Sequence, residues 1–401
     1  MKHGCKARWR CSNMSNDTLP EIRFPGFTDD WEQRKLKEFG KSTGGTSIES
    51  EFVEGGKYKV ISIGSYSEQS VYTDQNIRAE LTDKTRNRVL NKGDLTMILN
   101  DKTASGNIIG RVLLIDSNDS YVYNQRTERI EPDHKKYDSQ FLYHMLNAPM
   151  IRSKIIKQAQ GNTQIYVNWS AIGELDYLVP NLDEQREIGA FFFNLNNLIT
   201  LHQRKLDLLK ETKKGFLQKM FPKNGAKVPE IRFPGFTGDW EDREFSEIVK
   251  TTGYKAYLSE AFEVGEYPVI QQGDKPILGY SDKKPFENFE DVVLFGDHTL
   301  SLYKPETPFL VATDGLKIIT VPNFSGSFLL SLLEKYVPES QGYKRHFTIL
   351  KKEQVAFPTD VKERVLIGEF FTQIDRTITL HERELDLLKE TKKGFLQKMF
   401  V

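Results

Sequence analysis

Short polar and basic segments hold the side chains of this chain that could do chemistry. Residues 82–88 read TDKTRNR and combine cations with hydroxyl and amide groups. Arg can pair with guanine, Asn and Gln can pair with adenine, and all of these groups bond phosphate. For any single residue, a solvated turn is an equally good or better explanation. In the first half the candidate DNA-contacting residues are Lys84, Arg86, Asn87, Arg88, Lys102, Thr103, Ser105, Asn107, Asn162, Thr163, Gln164 and Tyr166.

The second half of the chain has three comparable polar segments. Their candidate DNA-contacting residues are Tyr254, Lys255, Tyr257, Gln271, Gln272, Lys275, Tyr343, Lys344, Arg345 and His346. The neighbours Asp297 and His298 also combine groups used in catalysis, but no nucleophile or metal ligand accompanies them. We interpret this pair as a turn bonded by its own backbone.

Motifs for catalysis and cofactor binding are missing from the sequence. Gly40-Lys41-Ser42-Thr43 resembles the end of a phosphate-binding loop, but Lys35 stands where that loop needs its first glycine. We find no Gly-rich methyl-donor loop, no Asn/Asp-Pro-Pro-aromatic tetrad and no clustered carboxylates. His3, Cys5 and Cys11 match no standard zinc finger. We therefore expect no catalytic residue, no metal and no cofactor in this chain.

Composition sets further limits on function. The 401 residues carry 56 basic and 56 acidic side chains, which excludes a polycation that coats nucleic acid by bulk charge. Two or three domains fit this length. The apolar stretches are too short to span a membrane, and the scarcity of cysteine fits a cytoplasmic protein. We expect translation to start at Met14 and residues 1–20 to form a disordered arm.

Two blocks of sequence occur twice. Residues 21–34 and 230–243 are identical at 12 of 14 positions, and residues 201–221 and 380–400 at 19 of 21. The offsets are 209 and 179, and the stretches between the blocks do not align convincingly. One repeated frame therefore presents two different modules, with no solenoid repeat.

Each longer block continues a stripe of mostly apolar residues that begins before it. The stripe positions are alternately four and three residues apart, which is typical of a coiled-coil helix. Pairing of the two stripes with each other, as an antiparallel coiled coil, and packing on a neighbouring domain both explain the pattern. In the paired register His202 opposes Leu385 and His381 opposes Leu206. The predicted interface positions are Ile188, Phe192, Leu195, Ile199, His202, Leu206, Leu209, Ile367, Phe371, Ile374, Ile378, His381, Leu385 and Leu388.

The modules between the repeated blocks are predicted to mix helices and strands. The first is expected to contain a pair of helices within residues 139–158, on either side of Pro149. Strands are expected at residues 58–63, 110–115 and 120–123 in the first module, and at 267–271, 291–295, 309–312 and 316–321 in the second.

From residue 19 onward the chain resembles the specificity subunit of type I restriction–modification systems. The resemblance rests on PEIRFPGFTDDWEQRKL at residues 20–36 and its second copy, on VPNLDEQREIGAFFFNLNNLI at 179–199, and on GNTQ at 161–164. The second half departs from this pattern. VKER replaces the DEQR helix start at 361–364, and QGYKR at 341–345 stands in place of the GNTQ segment.

The resemblance implies an α+β fold with a pseudo-two-fold internal repeat. Two mixed α/β target recognition domains, at 21–182 and 228–360, would be joined by long conserved helices at 183–227 and 361–401 that form an antiparallel coiled coil. Each domain would read one half of a bipartite, asymmetric site in double-stranded DNA, and the coiled coil would set the spacer.

The resemblance also implies partner subunits. Two modification (methyltransferase) subunits would bind S-adenosylmethionine and methylate adenine, and restriction (helicase–nuclease) subunits would need ATP and Mg²⁺. This chain would be the non-catalytic specificity subunit. A protein-interaction scaffold built on paired helices is the alternative, and an unrecognised nuclease is a weaker one.

Overall fold

The computed structural model describes residues 10–11, 19–223, 225–342 and 344–401. His3, Cys5, Met14 and Tyr343 lie outside this part of the chain, so the expected start codon and the expected role of Tyr343 stay predictions. The chain forms two compact units. Unit 1 comprises Met1–Leu201 with Leu385–Val401, and unit 2 comprises His202–Glu384.

Unit 1 contains thirteen described strands and four short helices, together with parts of two long helices. The strands are β1 (Arg10–Cys11), β2 (Ile22–Arg23), β3 (Glu32–Lys35), β4 (Gly40–Gly44), β5 (Tyr58–Ile61), β6 (Arg78–Ala79), β7 (Leu95–Ile98), β8 (Asn100–Asp101), β9 (Val112–Leu114), β10 (Tyr121–Tyr123), β11 (Thr127–Pro132), β12 (Ile165–Tyr166) and β13 (Asp176–Val179). The short helices are α1 (Asp83–Arg86), α2 (Ser139–Asn147), α3 (Pro149–Ile156) and α4 (Trp169–Ile172).

Two sheets form the body of unit 1. A four-stranded antiparallel sheet has the order β4-β11-β7-β9, and a three-stranded sheet has the order β10-β5-β6 with β10 parallel to β5. The expected strands and the helix pair around Pro149 are confirmed. Proline occupies the first turn of α3, where its missing N–H costs nothing. The predicted disorder of the arm is wrong at Arg10–Cys11, which pairs with Ile22–Arg23.

Unit 2 repeats this plan with fewer strands. After the long helix α5 (Leu182–Lys219) it contains β14 (Glu241–Glu244), α6 (Phe245–Ile248), β15 (Lys250–Thr252), β16 (Tyr267–Ile270), β17 (Ile277–Ser281), β18 (Val293–Gly296), β19 (Leu302–Tyr303), β20 (Leu310–Val311), β21 (Leu316–Thr320), α7 (Gly326–Tyr336), α8 (His346–Leu350), β22 (Gln354–Phe357) and α9 (Val361–Lys398).

The sheets of unit 2 have the same order as those of unit 1. The four-stranded sheet reads β15-β21-β18-β19, and the three-stranded sheet reads β17-β16-β20 with β16 parallel to β20. All four expected strands of this module are confirmed. The two modules do not align in sequence, yet they share one topology.

The helices α5 and α9 contain 38 residues each, so each is about 57 Å long. Each helix contributes to both units, so the predicted division that set the helices apart as separate domains is not what the contacts show. The physical reason is burial. Phe192 lies in the core of unit 1 and Phe371 in the core of unit 2.

Within each unit, a segment of α5 packs on a segment of α9. In unit 1 the ring centroids of Phe191 and Phe395 are 4.9 Å apart. In unit 2 Phe216 lies 5.0 Å from Phe370, and Lys213 Nζ lies 2.6 Å from Asp375 Oδ1. Partners late in α5 thus lie early in α9, so these segments run antiparallel.

The predicted interface positions are all buried or half-buried. Leucines on other faces of the same helices, such as Leu201 and Leu387, are more than half exposed. Packing on a neighbouring module is confirmed for Ile188 and Phe192 in unit 1 and for Ile367 and Phe371 in unit 2, and pairing of the two stripes as a coiled coil stays a prediction. Among the described residues, no helix is long and apolar enough to cross a membrane.

The first repeated block anchors the start of each long helix. Arg23 Nε and Nη2 lie 2.8 and 2.7 Å from the carboxylate of Glu184 in unit 1, and Arg232 makes the same bidentate contact with Glu363 at 2.7 and 2.8 Å in unit 2. Both carboxylates are buried. At the offset of 179, Glu363 corresponds to Glu184, so this ion pair explains why the second copy retains that glutamate while the residues on either side of it change.

We predict that R232M lowers the free energy of unfolding of unit 2 by about 3–5 kcal/mol, because it leaves the Glu363 carboxylate buried without its partner. The double variant R232M/E363M should recover most of that loss. Urea denaturation measures both. The control is R243A, which removes an exposed arginine and should change stability by less than about 0.5 kcal/mol. Equal effects of R232M and R243A would contradict the prediction.

A buried histidine makes unit 1 sensitive to acid. His144 packs against Phe192, with ring centroids 5.0 Å apart, and no described residue hydrogen-bonds its Nε2. Burial, reinforced by the charge of Lys392, lowers the pKa of His144 to about 3. The folded protein therefore keeps this ring neutral, whereas the unfolded chain protonates it near its ordinary pKa of about 6.5.

We predict that His144 removes about 1.4 kcal/mol of stability for each pH unit below 6.5, down to its folded pKa, because only the unfolded state gains the proton there. The variant H144F should show a shallower loss of stability between pH 6.5 and 4.5. Urea denaturation across that pH range measures the slopes, with H134Q at an exposed histidine as the control. Parallel curves for H144F and the unaltered protein would refute the assignment.

Candidate nucleic-acid interface

One end of the four-stranded sheet in unit 1 collects the polar loops. Strands β4 and β7 are both antiparallel to β11, and Gly44 and Ile98 pair with the beginning of that strand. The chain therefore leaves β4 and β7 at the same end of the sheet. We call this the loop end of unit 1, made of residues 44–46, 100–107 and 125–126 together with 161–166.

A two-stranded ribbon places the two candidate polar loops of unit 1 side by side. Strand β12 pairs with β8, with Ile165 opposite Asp101 and Tyr166 opposite Asn100. The candidate side chains on both loops are exposed, namely Lys102, Thr103, Ser105, Asn107, Asn162, Thr163, Gln164 and Tyr166. Segments some sixty residues apart in sequence thus form one surface.

Two glycines shape these loops, Gly106 where the first loop meets the second and Gly161 within the second loop. Gly106 has φ +65°, and a Cβ at that position would lie 2.7 Å from Ile165 Cδ1. Gly161 has φ +99°, and its Cβ would lie 2.2 Å from the carbonyl oxygen of Gln164. A larger residue would be strained at both positions, because both have positive φ, and at Gly161 it would also collide with backbone.

Buried groups beneath the first loop hold its shape. Asp101 accepts hydrogen bonds from Thr103 N and Ile108 N, at 2.9 and 3.0 Å. Burial by itself would raise the pKa of Asp101, but these hydrogen bonds lower it below its ordinary value. Arg152 donates to the carbonyls of Gly106 and Asn107, at 2.7 and 2.8 Å. Burial lowers the pKa of Arg152 to about 10, which leaves the guanidinium charged at neutral pH.

Arg152 was not among the candidates predicted from sequence, because it lies on helix α3 and reaches the loop only in the fold. Arg126 was also missed. It is exposed, has φ +66° in the turn before β11, and forms no ion pair with any described residue. The turn itself was visible in the sequence, since it directly follows the predicted strand at 120–123.

The basic segment at 82–88 is largely occupied by contacts within the protein. Lys84 Nζ lies 2.8 Å from Ser50 Oγ and 3.2 Å from a Glu51 carboxylate oxygen. Arg86 pairs with Asp83 at 3.3 Å, and Asn87 is exposed.

Arg88, a candidate DNA-contacting residue in the sequence, forms its contacts within the protein. It donates to the carbonyl of Gly44, to Tyr123 Oη at 3.0 Å and to Thr46 Oγ1 at 3.1 Å. These contacts fix the chain where it leaves β4. Nearby, burial raises the pKa of Glu128 to about 7, and the charge of Arg88 opposes that rise.

Unit 2 has an equivalent loop end. Strands β15 and β18 are both antiparallel to β21, so the chain leaves both strands towards the same end of the sheet. A 3₁₀ turn at Lys255–Tyr257 follows β15 and leaves Lys255 exposed. Tyr254 and Tyr257 are half-buried against the core, with Tyr257 5.1 Å from Phe286, so both act partly as packing residues.

The candidate glutamines of unit 2 bond within the protein. Gln272 Oε1 accepts from the backbone N–H of His298 at 3.2 Å, and Gln271 Nε2 donates to the carbonyl of Lys275 at 3.0 Å. The Lys275 side chain is exposed in the turn between β16 and β17. Residues 297–299 form the predicted turn, which Leu300 N closes by donating to the carbonyl of Gly296 at 2.9 Å. The Asp297 side chain is buried and accepts from Phe347 N at 2.9 Å, so a distant segment bonds it, contrary to the prediction that its own backbone does.

The segment at 341–346 takes the place of the GNTQ segment. His346 N donates to the carbonyl of Asp297 at 2.9 Å, just as Val167 N donates to the carbonyl of Leu99 at 2.8 Å in unit 1. Lys344 and Arg345 are exposed there.

The prediction that His346 contacts DNA is wrong, because its side chain is fully buried. Its Nδ1 lies 3.1 Å from the Asp297 carbonyl, and its Nε2 accepts from Gln341 N at 3.1 Å. With both ring nitrogens engaged inside the protein, this residue cannot contact DNA.

Residues 40–44, which resembled the end of a phosphate-binding loop, form strand β4. The glycine at position 40 is required because its Cβ would lie 1.9 Å from the carbonyl oxygen of Glu131 on β11. These residues therefore pair with a neighbouring strand, and the P-loop interpretation fails.

Solved structures share this fold. The S subunit of a type I restriction–modification system from M. genitalium superposes with a TM-score of 0.69 at 15% identity, covering 96% of this chain and 99% of that one. A second structure, described as showing complex assembly and conformational transition of the type I R-M system, superposes with a TM-score of 0.51 at 17% identity, covering 92% and 97%.

Curated relatives come from Methanocaldococcus jannaschii. The type I restriction enzyme MjaVIII specificity subunit is 27% identical over 190 residues, which cover 46% of this chain but only 44% of that relative. The putative type I restriction enzyme MjaX specificity subunit is 23% identical over 317 residues, covering 72% and 73%.

The model of the type I restriction modification DNA specificity domain matches twice, at residues 28–211 and 237–390. Each match contains one module and most of the long helix that follows it. Together they cover most of the chain, in agreement with the repeated topology. The chain therefore belongs to the family of type I restriction modification DNA specificity domains.

Proposed function

We propose that this protein is the DNA sequence-recognition subunit of a type I restriction–modification enzyme, and that each module reads one half of a bipartite, asymmetric site. The observation that carries the proposal is the pair of loop ends. The same sheet topology presents a different set of exposed polar side chains in each unit. A DNA site made of two different half-sequences requires two recognition modules, and modules that share a fold but differ in their loops meet that requirement.

The chemistry of the loop ends suits base and backbone contacts. Exposed Asn162 and Gln164 in unit 1 carry amides able to pair with adenine. Lys102 and Arg126 in unit 1, and Lys344 and Arg345 in unit 2, supply cations for phosphates. The net charge of zero keeps non-specific attraction weak, so affinity depends on these local groups.

The helices α5 and α9 would set the gap between the two half-sites. Both run without interruption through residues that belong to both units. A continuous helix advances by about 1.5 Å per residue, so the number of heptads determines a length. The predicted coiled coil is part of this proposal.

Exposed leucines on the helices would dock the two modification subunits. Unit 1 exposes Leu201 and Leu387, and unit 2 exposes their equivalents Leu380 and Leu208. Each is more than half exposed, and all four lie off the buried stripe. Each unit has one such pair of exposed leucines, so the chain could bind two copies of the same modification subunit. S-adenosylmethionine, ATP and Mg²⁺ would then belong to the modification and restriction subunits, and this chain would supply no catalytic group.

We predict that K102A/R126A weakens binding of target DNA by the assembled complex about tenfold or more, because two cations are lost at the loop end. The slope of log affinity against log salt should fall by about two. Fluorescence anisotropy at several salt concentrations measures both quantities. The control K135A/K136A removes the same charge beyond Pro132, at the opposite end of β11, and should leave both unchanged. Equal losses in the two variants would place the DNA elsewhere.

We also predict that exchanging residues 245–360 for those of another family member changes one half of a split, adenine-methylated motif and leaves the other half intact. Methylome sequencing of cells carrying each variant measures this. Deleting the gene should abolish the motif, and adding one heptad to each helix should alter only the gap.

A motif that survives deletion of the gene would refute the recognition function and favour a protein-interaction scaffold. Loss of both half-sites after the exchange, with the complex still assembled, would refute modular reading.

A further inference from the structure

Three potential ligand atoms converge where the two helices pair in unit 2. His381 Nδ1 lies 3.0 Å from Glu384 Oε2, and His202 Nδ1 lies 3.6 Å from the same oxygen. One ligand atom from each side chain lies within 4.8 Å of the others. His202 Nδ1 is buried and no described residue hydrogen-bonds it.

The antiparallel packing brings the two histidines together. In unit 2 the segment of α5 begins at His202 and the segment of α9 ends at Glu384, so antiparallel helices place these ends side by side. The imidazole centroids are 5.9 Å apart. The predicted register placed each histidine opposite a leucine, whereas the structure places the two rings against each other.

The two copies of the longer block, residues 201–221 and 380–400, differ at only two of 21 positions, and the Glu384 carboxylate is at one of them. Glu384 in the second copy corresponds to Lys205 in the first, and Glu382 corresponds to Gln203. Glu382 is engaged with Lys210, at 2.6 Å. The cluster therefore has two histidines and one available carboxylate, because the two copies diverge at position 384.

We propose that His202, His381 and Glu384 bind one divalent transition-metal ion of the zinc class. Zn²⁺ binds imidazole nitrogen and carboxylate oxygen at about 2.0–2.2 Å, so the ligand atoms of a tetrahedral site lie about 3.3 Å apart. Two of the separations seen here, 3.0 and 3.6 Å, bracket that value. The ion would lie between the His381 and Glu384 ligand atoms and would also bind His202 Nδ1, which no described residue hydrogen-bonds.

The fourth position would be filled by water. The side chains of His202 and His381 are 23% and 13% exposed, and that of Glu384 is 56% exposed, so solvent reaches the cluster. The ion would clamp α5 to α9 within unit 2. This inference does not rest on the proposed DNA recognition, although a clamped helix pair would suit a helix that sets a spacing.

The test is metal binding by the untagged, full-length, metal-free protein. Isothermal titration with Zn²⁺ should give one site per chain, and Co²⁺ should give the strong visible absorption of a four-coordinate ion. H202A and H381A should abolish both signals. E384K should weaken binding by about tenfold or more, since it removes one of three protein ligands. Position 205 of the first copy already carries lysine within an otherwise matching block, so E384K is compatible with the helix.

Two control variants separate this cluster from other metal ligands. C5S/C11S should bind Zn²⁺ as the unaltered protein does, and so should H134A, which removes an exposed histidine of unit 1. Circular dichroism confirms that each variant is folded. Zn²⁺ should also raise the melting temperature of the unaltered protein and not that of H202A. No binding by the unaltered protein, or equal binding by H202A, H381A and the unaltered protein, would overturn the proposal.

Discussion

The fold depends on one packing constraint, which is that each long helix must bury an aromatic face on two neighbours at once. Phe192 of α5 lies in the core of unit 1, where Phe400, just after the end of α9, stacks on it at 5.7 Å. Phe371 of α9 has the equivalent place in unit 2, 6.4 Å from Phe221, which follows the end of α5. A fully buried aromatic side chain contributes about 2–3 kcal/mol relative to exposure. The core of unit 1 therefore includes an aromatic residue that follows α9, and the core of unit 2 includes one that follows α5.

This packing constraint explains why some parts of the sequence are repeated and others, the loops of the modules, differ. The repeated blocks contain the parts of the packing, namely the arginine that binds the buried glutamate at each helix start and the aromatic residues at each helix end. The modules have to retain only a sheet and a helix that cover the same aromatic face. Their loops are then free to differ, as the unlike segments at 161–166 and 341–345 do. A frame of this kind can present two different surfaces without changing its core.

The sequence identified residues whose chemical type suits DNA contact, but it did not show which of them are exposed and which bond within the protein. The exposed polar residues at 102–107 and 162–166 were identified from composition and from the glycines beside them, and the fold brings them together. Arg88 and His346 have equally suitable chemistry, yet one holds a strand end and the other is fully buried. Arg126 and Arg152 were missed because their relation to the loops runs through sheet pairing and a helix contact. A side chain's partners depend on three-dimensional neighbours, and residue type alone does not reveal them.

The sequence by itself determined the repeat, the stripe of the two helices, some of the longer strands and the family, because these depend on local periodicity and on near-identical blocks. Only the tertiary structure decided that the two modules share one topology, since a sheet tolerates any residues that keep the alternation of buried and exposed side chains. It also decided that His202 and His381 meet, that each helix belongs to both units, and which cations remain exposed. Each of these outcomes is set by contacts between segments far apart in the chain.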